Sequence, residues 1–197
     1  KLFIGYDHRF GHNREETFDD YVRYGKEMGM EVIKNEAFQI DGVNISSSVI
    51  RSLLKEGEVE LANQALGYPY TIIGKVVNGY HEGRKLGFPT ANLDLSHFGQ
   101  MIPESGVYAV KVRMENSMVW KHGMMNVGTR PTFDGKRITL ETHIFNFDGD
   151  IYDQLLLVSF VKRIRGEQKF DSPEELAAQL KEDEQTIMEI FEEEKEK

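Results

Sequence analysis

The chain has 197 residues, 40% of them hydrophobic, with one tryptophan, no cysteine and a formal net charge of −9. That length supports one full core and part of another, the missing cysteines exclude disulfides and thiolate metal sites, and the acidic balance excludes a general nucleic-acid surface. Eight acids and three lysines fall between Lys181 and Lys197, leaving the rest of the chain at only −4, so a local cationic site for an anionic nucleotide remains compatible with the composition.

In chain order, Leu2-Phe3-Ile4 reads as a buried strand. Phe18 to Met28 carries apolar residues at helical spacing (Phe18, Tyr21, Val22, Met28) before Gly29, and Glu31 to Lys34 is a second short strand. Such a β-α-β fragment, if parallel, needs covering elements on both faces, so the N-terminus reads as cut mid-domain. Ser46-Ser47-Ser48 opens a helix ending near Gly57, with Ser46 as its N-cap candidate, and a further helix runs from Val59 to Leu66. From Tyr70 the period drops to two: Thr71 to Asn78, Gly106 to Met114, Met118 to Val127, Ile138 to Phe147 and Leu155 to Arg165 predict five or six strands closing into a small antiparallel barrel. Ser172-Pro173-Glu174-Glu175 opens the last helix, whose packing stripe is Leu176, Leu180, Ile187, Ile190 and Phe191. Glu192 to Lys197 is expected to fray. No run of about 18 apolar residues occurs and Lys1 to Gly5 is too short for a signal peptide's apolar region, so the expectation is a soluble, cytoplasmic protein without a membrane partner.

The densest chemical signal is GRKLGFPTAN, Gly83 to Asn92. In an extended segment Thr90 and Asn92 point to one side while Ala91 points back into the protein. Pro89 fixes φ just ahead of them. A hydroxyl and an amide carbonyl suit Mg²⁺, which takes its remaining oxygens from water and substrate phosphates. Gly83 and Gly87 allow backbone N–H groups near those phosphates, and Arg84 and Lys85 add positive charge. Neither a P-loop nor a dinucleotide fingerprint is present.

GRKLGFPTAN, NVGTRPTF (Asn126 to Phe133), ETHIF (Glu141 to Phe145) and RIRGEQKFDSPEEL (Arg163 to Leu176) together resemble, in order and spacing, the riboflavin kinases. Upstream, GYDHRFGHNR (Gly5 to Arg14) and ISSSVIR (Ile45 to Arg51) are similar to the later half of the adenylyltransferase module that precedes this kinase in the bacterial bifunctional riboflavin kinase/FMN adenylyltransferases, or FAD synthetases. That family's early HxGH motif would lie upstream of Lys1. The resemblance implies a fragment of a Rossmann-like nucleotidyltransferase over residues 1–66. It also implies a riboflavin kinase domain over 67–197, built as an antiparallel Greek-key barrel with a C-terminal helix.

The activity so implied is phosphorylation of the riboflavin 5′-hydroxyl by ATP, with Mg²⁺, giving FMN and ADP. Glu141 would be the base that takes the alcohol's proton. Ile138, Leu140 and Ile144 share one face of its strand, and Glu141, His143 and Phe145 the other. His143 is the rival base, read instead as a supporting residue. The resemblance further gives Thr90 and Asn92 to the metal, and Gly79, Arg84 and Lys85 to the phosphates. Asn146 and Tyr152 fall along the nucleotide, and Arg165, Gln168 and Phe170 beside the flavin. Arg165 alternatively pairs only with the neighbouring Glu167, and Tyr152 is alternatively a barrel aromatic. The Gly128 to Lys136 segment reads as a loop over the flavin. Ser46, Ser47 and Ser48 with Arg51 form a residual adenylyltransferase nucleotide site.

His8 and His12 have zinc-like spacing but lie around Phe10-Gly11 and lack an HExxH glutamate. His81, His97 and His122 read as isolated, solvent-facing residues. Two other readings stand beside the kinase: FMN adenylyltransferase as the defining activity, and a non-catalytic flavin- or nucleotide-binding barrel.

Overall fold

The computed structural model describes residues 1–5, 9, 14–36, 39–40, 42–79, 82–94, 96, 99–132 and 135–195. The chain divides into two compact units, Lys1–Ser46 and Ser47–Lys197.

In the first unit, β1 (Leu2–Ile4) pairs in parallel with β2 (Val32–Lys34), and α1 (Phe18–Glu27) connects them. This is the β-α-β fragment expected from the periodicity. Thr17 caps α1, its backbone N–H and hydroxyl both donating to Asp20 at 2.9 and 2.8 Å. Met28, placed on the helix's apolar stripe by spacing, is 70% exposed at the C-cap instead. A short antiparallel pair, β3 (Gln39–Ile40) and β4 (Val43–Asn44), follows. A Rossmann-like arrangement goes beyond this single parallel pair.

The second unit begins with α2 (Ser47–Glu56) and α3 (Val59–Leu66). Helices α2 and α3, upstream of the 66/67 boundary expected from the sequence, pack with the barrel and bury Leu54, Val59 and Ala62 in its core. Asn63 rivets the join: its amide donates to the Phe160 carbonyl and its carbonyl accepts from the Tyr70 N–H.

The barrel itself is closed and antiparallel. Its strands are β5 (Thr71–Val77), β6 (Ala91–Leu93), β7 (Gly106–Met114), β8 (Lys121–Thr132), β9 (Gly135–Ile144) and β10 (Leu155–Arg165), in the order β10-β5-β6-β9-β8-β7. Closure through β10, which pairs with both β5 and β7, leaves no open sheet edge. Inward residues alternate along each strand and fill the interior with Ile72, Val76, Tyr108, Val110, Met125, Leu140, Val158 and Phe160. Strand β8 begins later than the pattern suggested, since Met118, Val119 and Trp120 are exposed in the β7–β8 connection.

Helix α5 (Pro173–Lys195) covers the outside of the barrel. Ser172 Oγ accepts from the Glu175 N–H at 3.2 Å, the cap that the sequence announced. Ile187 and Phe191 then pack with Phe88, Val107, Ala109, Met124 and Phe145 in a second apolar layer. The predicted fraying starts too early: the helix runs to Lys195, and Glu194 meets Lys111 at 2.7 Å. Phe191 holds this last stretch down by stacking on His122, with ring centroids 3.9 Å apart. His122 is therefore a packed residue and not the solvent-facing one expected.

Candidate functional site

One row of side chains crosses the outer face of the barrel. Asn126 on β8 is the register partner of Glu141 on β9, Glu141 is the partner of Asn92 on β6, and Asn92 is the partner of Val77 on β5. Directly opposed residues of antiparallel strands share a face. Their chain neighbours Ala91, Leu93, Leu140 and Thr142 are buried in the barrel, so the polar row points outward. Ala91 turns inward and Asn92 stands beside the glutamate, as the extended reading expected, while Thr90 precedes the strand and lines a cavity together with Ala91. Glu141 is recessed, with its side chain 19% exposed, and its Oε1 accepts from Arg130 Nη2 at 2.9 Å.

Gly79 makes room for this arrangement. A Cβ built there would lie 2.1 Å from the Asn92 amide nitrogen, so a larger residue at 79 would require that side chain to shift. The GRKLG segment differs from its reading as an open phosphate-cradling turn. It forms a short helical turn, α4 (Glu82–Lys85), whose closing N–H groups are used internally: those of Leu86 and Phe88 donate to the Gly83 carbonyl and that of Gly87 to the Arg84 carbonyl. Gly83 is required by the close approach of the Phe88 carbonyl, 2.3 Å from where its Cβ would stand. The cationic side chains of Arg84 and Lys85 leave this turn exposed.

A cavity of about 370 Å³ is lined together by Arg84, Thr90 and Tyr152, whereas neither Asn92 nor Glu141 lines it. Its floor is the barrel mouth, with Val76, Ala91, Thr142 and Ile144. Thr142 Oγ1 is buried there with no hydrogen-bond partner among the described residues. Asn146 does not line the cavity. It is exposed at φ 51°, a left-handed turn position that asparagine tolerates, and its neighbour Phe147 faces the space along with Asp148 and Asp150.

His143 is buried between Phe88 and Phe145, edge-on to the former, with Nδ1 2.8 Å from the Pro89 carbonyl oxygen. It braces the FPTAN segment from behind, as a supporting residue would. Arg165 is held by the last helix. Its Nε and Nη2 grip the buried carboxylate of Asp183 on α5 at 2.7 to 3.1 Å, and Gln179 donates to the same group. The alternative partner, Glu167, instead accepts from the Thr129 N–H and hydroxyl. Phe170 lies against Arg165, with the guanidinium carbon 5.8 Å from its ring centre, while Gln168 is exposed. Where a loop was expected from Gly128 to Lys136, the described residues are strand, with β8 and β9 paired from Gly128↔Thr139 to Thr132↔Gly135; residues 133–134 lie outside the described ones.

Ser47 and Ser48 open α2, and Arg51 stands one turn on, exposed. His8, His12, His81 and His97 lie outside the described residues, and no cluster of three metal-ligating acids or histidines occurs among the described ones. No helix among the described residues is long and apolar enough to cross a membrane. Sequence reasoning missed Arg130, Thr142, Phe147 and Asp183. Arg130 and Thr142 sit inside the NVGTRPTF and ETHIF motifs, which was the one available signal for them.

The family model for riboflavin kinase matches residues 66–191, and that for FAD synthetase matches residues 1–49. The chain is 40% identical to the bifunctional riboflavin kinase/FMN adenylyltransferase of Haemophilus influenzae, over 96% of this chain and 61% of that protein. It is 41% identical to the Escherichia coli K12 protein of the same description, over 96% and 60%, and 41% identical to that of Bacillus subtilis, over 75% and 46%. The chain thus spans about three fifths of the first two relatives' length. A Streptococcus pneumoniae crystal structure designated a macrolide-efflux protein superposes with a TM-score of 0.84 at 37% identity, covering 93% of this chain and 58% of that one. With more than half of its residues matched by one family model, and with the closed barrel and outer helix that carry the matched motifs, the chain belongs to the riboflavin kinase family.

Proposed function

We propose that the barrel transfers the γ-phosphoryl group of ATP to the 5′-hydroxyl of riboflavin, giving FMN and ADP. The observation that carries this reading is the register of Asn92 against Glu141, which brings an oxygen donor for a phosphate-bound cation beside a recessed carboxylate. The cavity lined by Arg84, Thr90 and Tyr152 supports a nucleotide there.

Glu141 accepts the proton of the 5′-hydroxyl as that oxygen bonds to Pγ. The bond from Pγ to the β-phosphate bridging oxygen breaks, and its electron pair leaves with ADP. Thr90 and Asn92 offer a hydroxyl and an amide oxygen, hard neutral donors of the kind Mg²⁺ accepts, and the glycine at 79 leaves room for the Asn92 side chain. When bound, Mg²⁺ supplies charge neutralisation on the phosphates. Arg84 and Lys85 add to it from α4. Gln168 and Phe170 flank the flavin, and Arg165 serves it indirectly, by fixing the segment ahead of α5 to Asp183.

The match of residues 1–49 to FAD synthetase and the names of the relatives favour a second activity for the whole protein, adenylylation of FMN, with a Rossmann-like fold for residues 1–66. The purified chain, incubated with riboflavin, ATP and Mg²⁺ and resolved by flavin chromatography, should yield FMN. Absence of FMN overturns the kinase reading, and FAD formed from added FMN would establish the adenylyltransferase in this chain.

A further inference from the structure

We propose that Arg130 is a positioning residue for phosphoryl transfer, holding the Glu141 carboxylate in the orientation from which it takes the substrate proton. The inference rests on the reading of Glu141 as the base. Arg130 lies four residues along β8 from Asn126, the register partner of Glu141, and so stands on the same face of the hairpin as the polar row. From there its guanidinium reaches back to Glu141 Oε1 at 2.9 Å. This is the one ion pair of Glu141 among the described residues.

A glutamate side chain has three rotatable bonds, and an unpartnered one would distribute over several rotamers. The Arg130 bond selects one of them. The carboxylate is 19% exposed and the guanidinium side chain 41%, so the pair is sheltered on the glutamate side only. The adjacent Thr129 donates its N–H to Glu167 at 3.1 Å, tying this part of the hairpin to the segment that leads into α5. Thus the strand pairing supplies the base's position, and Arg130 supplies its direction.

The test compares R130Q, R130K, E141Q and the double variant R130Q/E141Q by steady-state kinetics in riboflavin and Mg·ATP, with thermal melts of each. R130Q is expected to lose about ten- to a hundredfold in kcat, the scale of a misdirected catalytic group, with both KM values within about twofold. R130K should recover part of the loss, because it restores the charge without the planar fork. In the E141Q background R130Q should cost nothing further, since the two act as one unit. Wild-type kcat in R130Q beside an inactive E141Q overturns the role of Arg130 and leaves Glu141 as base. An active E141Q removes the base, and this inference with it. A rise in KM alone, or further slowing of E141Q by R130Q, means that Arg130 acts on substrate or fold and overturns the positioning role. Should R130Q fail to fold, R130K decides by the same kcat criterion.

Discussion

Asn92 and Glu141 stand directly opposite one another on β6 and β9, a non-covalent pairing fixed by backbone register. A register slip of one residue on either strand would send one of them into the barrel interior, where Ala91 and Thr142 now lie. The site's geometry is therefore set by the same hydrogen bonds that close the barrel, and the two residues' contributions should separate kinetically.

Glu141→Gln keeps the side chain's size and removes its basicity. Its kcat should fall by about a hundredfold or more, the scale of general-base catalysis, with riboflavin affinity nearly unchanged. Asn92→Ala should act chiefly on the KM for Mg·ATP. Titrating each substrate separately checks both, and retention of kcat by Glu141→Gln would remove it as the base.

Gly79→Ala places a methyl group 2.1 Å from the Asn92 amide nitrogen, a contact that must be relieved by moving Asn92. The variant should resemble Asn92→Ala, with a raised KM for Mg·ATP, although residue 79 has no side chain to contact the nucleotide. The double variant Gly79→Ala/Asn92→Ala relieves the clash and should be no worse than Asn92→Ala alone, by the logic of a mutant cycle. Additive losses would locate the role of Gly79 elsewhere.

Features written in neighbouring residues were legible in the sequence. Ser172 and Glu175 announce the start of α5 through a cap completed within one turn, and the extended reading of the FPTAN segment announces that Ala91 turns inward. Features made by distant pairing were not. The three residues of β6 are too few to establish a period, so the strand that carries the motif was legible only as an extended segment. An amphipathic pattern says that α2 and α3 bury one face, but not that the face meets the barrel. Asp183 lies in the acid-rich stretch from Lys181 to Lys197, and only the fold brings Arg165 from β10 to bury it.

His122 offers a test of α5 docking through pH. Burial against the helix lowers its pKa below the usual 6.5, and the nearby Lys195 and Lys111 add to the shift, opposed by Glu194. The folded state thus binds a proton less readily than the unfolded chain. Stability from this group is full above about 6.5 and falls as the pH drops through the folded-state value. Thermal melts between pH 8 and 5 should show wild type losing more than His122→Gln over that window. Parallel curves would mean that the stacked pair with Phe191 tolerates the charged ring.

Asp183 and Arg165 set a larger energy scale. The carboxylate is 3% exposed and receives the guanidinium at two nitrogens, with Gln179 as a further donor. Asp183→Ala leaves Arg165 in a recess without its counter-charge, a loss of about 3–5 kcal/mol. Urea unfolding should report it as a lower midpoint. Replacing both partners, as in Arg165→Met/Asp183→Leu, removes the stranded charge and should restore most of the stability. The double variant also separates structure from binding. If Arg165 serves the flavin only by holding the segment ahead of α5, the repaired protein should keep riboflavin affinity near wild type in a fluorescence titration. Recovered stability with lost riboflavin binding would instead assign Arg165 a direct contact.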